Sequence, residues 1–168
     1  MNRMKKCILI LLSFISFAVS AQDIGVLLKE ADNFEKQQKE PEALDKYKQV
    51  LVLEPVNTRA LVKATELNLS IGSRQSDQNS KRLYYETGAA FAQRAWQADS
   101  TSAEVNYILA AVAEKMPEVE TENKKAAVYL RDEKRYADKA LTINPDHGRA
   151  HYLAGKWHYE ILNLPAVK

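Results

Sequence analysis

The chain is 168 residues long, with 24 Lys+Arg against 22 Asp+Glu, a formal net charge of +2, one cysteine, five glycines and five prolines. That length holds one domain or one short repeat array and excludes two large domains. With 46% apolar residues and a mean hydropathy of −0.41, it can bury a core and lacks the polarity of a disordered chain. Gly and Pro together are scarce, about half the usual share of roughly 12%, which argues against a loop-rich β-sandwich and a glycine-lined phosphate site, and favours helices.

Residues 1–21 read MNRMKKCILILLSFISFAVSA, with Arg3, Lys5 and Lys6 ahead of an apolar run from Cys7 to Val19 broken only by Ser13 and Ser16. This is the pattern of a secretory signal peptide, cleaved near Ala21. Its apolar run falls short of the roughly 17 to 25 residues needed to span a bilayer. Cys7 opens that run instead of following a small-residue box at its end, which argues against a lipid anchor. The mature chain is expected to be exported, periplasmic or secreted, and without stable membrane insertion. Losing Arg3, Lys5 and Lys6 leaves 21 Lys+Arg against 22 Asp+Glu, a net charge of −1, and no general footprint for nucleic acid remains. The only cysteine leaves with the leader, and with it a thiol nucleophile, a disulfide and a cysteine zinc site.

Three phrases recur, each ending in a helix stop: KQVLVLEPVN at 48–57, AQRAWQADSTS at 92–102 and DKALTINPDHG at 138–148. A 34-residue unit counted back from Asn57 starts at Ile24 and places Leu27, Ala31, Phe34, Ala43, Tyr47, Val50 and Pro55 at unit positions 4, 8, 11, 20, 24, 27 and 32. This order of small, aromatic and proline residues resembles the tetratricopeptide repeat, a helix-turn-helix in which small residues let two helices approach and large ones fill the space beside them.

In the second unit Asn57 is the expected N-cap of a helix over 58–70, with Leu61, Ala64, Thr65 and Leu67 on one side and Gly72 ending it. The polar stretch 73–80 reads as an insertion. The partner helix follows over 81–98 with Leu83, Tyr84, Phe91, Ala92, Ala95 and Trp96. Thr101 and Glu104 fit a capping box for a helix over 103–115, whose buried stripe is Val105, Leu109, Ala110, Val112 and Ala113. Its partner is a long helix from about 119 to 143 carrying Ala126, Ala127, Leu130, Tyr136, Ala137, Ala140 and Leu141, and Pro145 closes the unit. A last helix over 148–162 presents Leu153, Ala154, Gly155, Trp157, Ile161 and Leu162. It either caps the array alone or belongs to a longer one, the second reading being favoured. The expected architecture is all-α, an α-α superhelix of about 3.5 tetratricopeptide-like repeats over 24–57, 58–102, 103–147 and a half repeat 148–164, within a domain spanning 22–168.

The phrases RLYYETGAAFAQRAWQADSTSAEVNYILA and ADKALTINPDHGRAHYLAGKWHYEI carry a further likeness: the stretch from Lys81 to Leu162 resembles the regulator of microtubule dynamics family, with a similar long middle helix and Gly-x-Trp segment at Gly155 and Trp157. The resemblance implies a non-enzymatic interaction protein from a family whose founding members are linked to microtubules. A secretory leader takes the chain away from cytosolic filaments, so a bacterial member of this kind would share the scaffold and not the partner.

Candidate chemistry is thin. His147, His151 and His158 are the only histidines; a metal site on the last helix lacks a carboxylate to complete it, and core or groove histidines are the better reading. Glu118, Glu120 and Glu122 lack calcium-loop spacing and suit a solvated helix start, where the macrodipole favours acids. Phosphate-loop, nucleophile-elbow and His-Glu-x-x-His motifs do not occur, so the chain is read as no enzyme, with no cofactor.

What remains is the concave side of the stacked helices. Unit positions 2, 5, 9 and 12 face it, which selects Arg59, Val62, Glu66 and Leu69, then Glu104, Tyr107, Ala111 and Glu114, then Arg149, Tyr152, Lys156 and Tyr159. Of these, Arg59, Glu66, Tyr107, Glu114, Arg149, Tyr152, Lys156 and Tyr159 are the candidate partner-binding residues, because Tyr and Arg carry binding energy in interface centres. The lysine-and-asparagine clamp with which some tetratricopeptide proteins hold a C-terminal carboxylate is not reproduced; Leu28, Asp32 and Lys63 stand there, so chaperone-tail binding is not expected. The partner is therefore a protein or peptide, with assembly through the last helix, or a histidine-based metal or enzymatic module, as the alternatives.

Overall fold

The computed structural model describes residues 24–162, and among them all regular structure is helical. The leader expected over 1–21 and the residues after Leu162 lie outside the described residues. The chain forms two compact units divided after Pro55.

The first unit is a helical hairpin of α1 (24–36) and α2 (Glu40–Leu53). The backbone N–H of Lys39 donates to Phe34 O at 2.9 Å and that of Gln38 to Glu35 O at 2.9 Å, the paired bonds that stop a helix when the residue after it turns left-handed. That residue is Gln38, at φ 59°, where glycine is usual. Pro41 starts α2 without loss, since the first turn has no carbonyl for its missing N–H. Ala31, Ala43, Tyr47 and Val50 are fully buried, in line with their small and large roles in the repeat. The Tyr47 hydroxyl reaches back to α1, 3.0 Å from Asp32 Oδ1 and also bonded to Glu35.

The second unit contains α3 (Thr58–Ser73), α4 (Gln78–Ala98), α5 (Ala103–Lys115), a 3₁₀ turn (Met116–Glu118), α6 (Asn123–Ile143) and α7 (Gly148–Leu162). Each helix packs on the next, and α5 also packs against both α3 and α7. The starts are capped by side chains: Asn57 Oδ1 accepts from Ala60 N at 2.9 Å, Asp77 Oδ2 from Ser80 N at 2.8 Å and Ser102 Oγ from Val105 N at 3.4 Å, each satisfying one orphan donor. Helices α3 and α4 cross closely at two glycines. A Cβ on Gly72 would stand 2.8 Å from the Tyr85 ring, and one on Gly88 3.3 Å from Asn68 Cβ.

Several expectations are corrected here. Gly72 does not end α3: the helix continues to Ser73, because this glycine serves helix approach and not a left-handed turn. The polar insertion shrinks to residues 74–77, since α4 begins three residues earlier than expected, behind its Asp77 cap. The aromatic that α4 buries is Tyr85, at 0% exposure, while Leu83 lies outside at 66%; Tyr85 wins because its hydroxyl can donate to Glu118 Oε2 at 2.8 Å while its ring covers Gly72. The Thr101 and Glu104 capping box does not form. Thr101 bonds Asp99, Ser102 takes the cap, and Glu104 turns to α7. The long helix begins at Asn123, so Glu118 and Glu120 precede it: Glu118 pairs with Lys115 and Lys81, and Glu120 accepts from the Thr121 and Glu122 amides. Ala127, Gly155 and Leu162, expected on packed faces, are exposed.

Candidate partner-binding cleft

The same repeat position on three parallel-stacked helices brings distant residues together. Glu66 and Leu69 of α3, Tyr107, Ala111 and Glu114 of α5, and Tyr152 and Lys156 of α7 line one cleft of about 400 Å³, with Ile108 and Leu153 in its floor and Ser70, Ser73 and Lys115 completing the rim. Five of the eight candidate residues thus share this cleft: Glu66, Tyr107, Glu114, Tyr152 and Lys156. Arg59 lies elsewhere, lining a separate hollow with Val62, Lys63 and Glu104. Tyr159 lies outside it, at 70% exposure.

Arg149 has a different role from the one its position suggests. Its guanidinium forks between Glu66 on α3 and Glu104 on α5 and lies 4.4 Å from the centroid of the Tyr107 ring. His147 packs on that ring at 5.1 Å. The His147 Nδ1 accepts from the Ala150 amide at 3.2 Å, capping α7, which leaves the ring proton on Nε2 to donate to Glu104 Oε2 at 3.0 Å. These five side chains join α3, α5 and α7 and set one end of the cleft. Burial raises the Tyr107 phenol and outweighs the opposing Arg149 charge. Burial alone would lower Arg149, but Glu66 and Glu104 beside it leave it raised.

The cleft's other end is ionic. Lys156 bonds Glu114 and lies 3.5 Å from Glu160, and Lys115 lies 3.3 Å from Glu114 and 3.1 Å from Glu118. Both lysines lose to burial and gain more from these carboxylates, so both are raised and stay charged. Close by, Glu133 of α6 is 2% exposed and its Oε1 has no hydrogen-bond partner. Burial first, then the charges of Glu114 and Glu160, push its carboxyl up to about 7 against the opposing Lys156 and Lys115. Nothing in the sequence singled out Glu133. The only signal was its i, i+4 and i+7 spacing with Ala137 and Ala140, which places an acid on the packed stripe of α6.

The histidines are not brought together. His151 is exposed with Nε2 2.6 Å from Pro145 O, and His158 is exposed with its ring edge-on to Trp157 at 5.1 Å, so neither takes the core or groove place expected of it. Among the described residues no three His, Cys, Asp or Glu side chains form a group that could hold a metal ion, and no helix is long and apolar enough to cross a membrane.

The fold and the cleft define a tetratricopeptide-repeat protein. Solved structures agree: the first tetratricopeptide domain of Spaghetti (RPAP3), bound to the HSP90 peptide SRMEEVD, is 15% identical, with TM-score 0.63 over 84% of this chain and 94% of that one. The Arabidopsis OM64 tetratricopeptide domain is 11% identical, with TM-score 0.64 over 83% and 98%. The Sgt2 tetratricopeptide domain from Aspergillus fumigatus is 15% identical, with TM-score 0.62 over 83% and 79%. More particularly, the family model of Regulator of microtubule dynamics protein 1-3 matches residues 27–168, and the chain belongs to that family. No curated protein matches it.

Proposed function

We propose that the chain is a non-catalytic scaffold of the cell envelope that binds a partner protein or peptide in the cleft between α3, α5 and α7. The observation that carries this reading is the cleft itself. Leu69, Ile108, Ala111 and Leu153 supply apolar surface under the exposed Tyr152, with the Glu114 and Lys156 ion pair at one end and the Arg149 fork at the other. An extended peptide would place an apolar side chain on the floor and its polar groups against the rim. The peptide held by the Spaghetti domain supports a peptide ligand, not its identity here. Tyr107, Glu66 and Arg149 position the cleft walls, while Tyr152 and Lys156 meet the ligand.

The export part of the reading rests on residues 1–21 as a leader ahead of a repeat domain over 22–168, and the mass of the chain recovered outside the cytoplasm should start at Gln22. For the cleft, the mature chain is used to capture partners from the exporting cell, alongside Tyr152→Ala and the floor-filling Ala111→Phe. Both variants should lose the same partner. If every captured protein survives both, the cleft reading is wrong.

The exposed Tyr159 and Leu162, at 70% and 83%, favour a second reading in which α7 assembles the chain into an envelope complex. A monodisperse monomer by sedimentation, unchanged by Tyr159→Glu, would dismiss it.

A further inference from the structure

Helix α6 carries six cations, Lys124, Lys125, Arg131, Lys134, Arg135 and Lys139, against Asp132, Glu133 and Asp138. At about 100° per residue, Glu133, Ala137 and Ala140 fall on the packed side and are buried. Lys124, Arg131, Arg135 and Lys139 fall opposite, and all four are exposed. With 1.5 Å of rise per residue this stripe runs about 22 Å along the helix. Arg135 has Asp132 at 2.9 Å, and Lys134, beside the stripe, has Asp138 at 2.6 Å. Among the described residues Lys124, Arg131 and Lys139 have no ion-pair partner. Arg131, Arg135 and Lys139 are also successive i, i+4 neighbours of like charge, an arrangement that weakens a helix unless something anionic lies along it.

We propose that this outer stripe of α6 is a docking surface for an acidic polypeptide segment of a partner protein, separate from the cleft. A linear file of cations suits a chain that sets carboxylates at intervals. Asp132 and Asp138 flank the file, so a continuous anionic face such as a bilayer surface would meet repulsion there, whereas a polypeptide can place neutral residues against them. A membrane-surface helix also carries a broad apolar face beside its cations; the apolar exposed residues of α6, Ala127, Val128 and Ile143, are scattered around and along the helix and form no such face. The phosphates of a nucleic acid are as continuous as a bilayer surface, and the aromatic ring that lies against the stripe, Tyr136, is covered by the Arg135 guanidinium at 4.5 Å from its centroid in place of a stacked base.

The test measures binding of a labelled polyglutamate peptide to the full chain at low salt, with phosphatidylglycerol vesicles and duplex DNA as competitors. The peptide should bind, should weaken as salt shortens the Debye length, and should bind about tenfold more weakly to Lys124→Gln/Arg131→Gln/Lys139→Gln. An equal neutralisation in the first unit, Lys29→Gln/Lys36→Gln/Lys48→Gln, should leave affinity unchanged, as should Tyr152→Ala in the cleft. Absence of binding, equal weakening by both triple variants, loss with Tyr152→Ala, or tighter binding of vesicles or DNA than of the peptide would each overturn the proposal.

Discussion

Glu133 makes the stability of this protein depend on pH in a direction opposite to ordinary acid denaturation. Its carboxyl rises from 4.5 to about 7 in the fold, so between those values the folded chain holds a proton that the unfolded chain has released. Stability from this group is complete below about pH 4.5, falls as pH rises, and is fully lost above about pH 7. At 1.36 kcal/mol per pK unit the loss is about 3 kcal/mol, a large share of a domain's usual 5–15 kcal/mol. The variant Glu133→Gln keeps the shape and cannot ionise. Urea unfolding followed by circular dichroism should show the two proteins within about 1 kcal/mol at pH 5 and the variant ahead by about 2 to 3 kcal/mol at pH 8. Comparing the two cancels the opposite trend from Asp77, Asp99, Glu118 and Glu120, whose hydrogen-bonded carboxylates are lowered and whose contribution fades as pH falls through their folded values. A difference between the two proteins that does not change with pH would refute the reasoning.

Two further substitutions test the packing. Gly72→Ala puts a methyl 2.8 Å from the Tyr85 ring and 2.9 Å from Tyr84 Cβ, and should cost about 1 to 3 kcal/mol by denaturant titration, although alanine is the better helix former; an unchanged or higher midpoint would show that α3 and α4 are not in such close approach. Gln38→Gly relieves a side chain held at φ 59° and should stabilise the fold by about 0.5 to 1 kcal/mol, read as a higher denaturant midpoint at unchanged slope.

Much of the cleft was legible because a helical repeat ties function to spacing. Positions 5 and 9 of successive units recur on neighbouring helices, which is how Glu66, Tyr107, Tyr152 and Lys156 come to face one hollow. What spacing cannot say is whether a side chain at such a position is spent on its neighbours. Arg149 forks to Glu66 and Glu104 and stacks on Tyr107, an outcome that depends on side chains 83 and 45 residues away.

The sequence by itself determined the elements whose causes are local. Asn57 caps α3 as expected, α5 and α7 span the residues their periodicity marks out, and the small residues Ala31, Ala43, Ala64, Ala92 and Ala95 are buried. Tertiary structure decided where neighbouring residues compete for one place. Tyr85 went inside, where its ring covers Gly72, Glu104 left a cap for Arg149, and Glu133 was enclosed within reach of the charges of Glu114, Lys156 and Glu160. Caps and amphipathic stripes are settled within one or two turns of chain. Close approach, ion pairing and desolvation are settled by whichever helix the fold sets opposite.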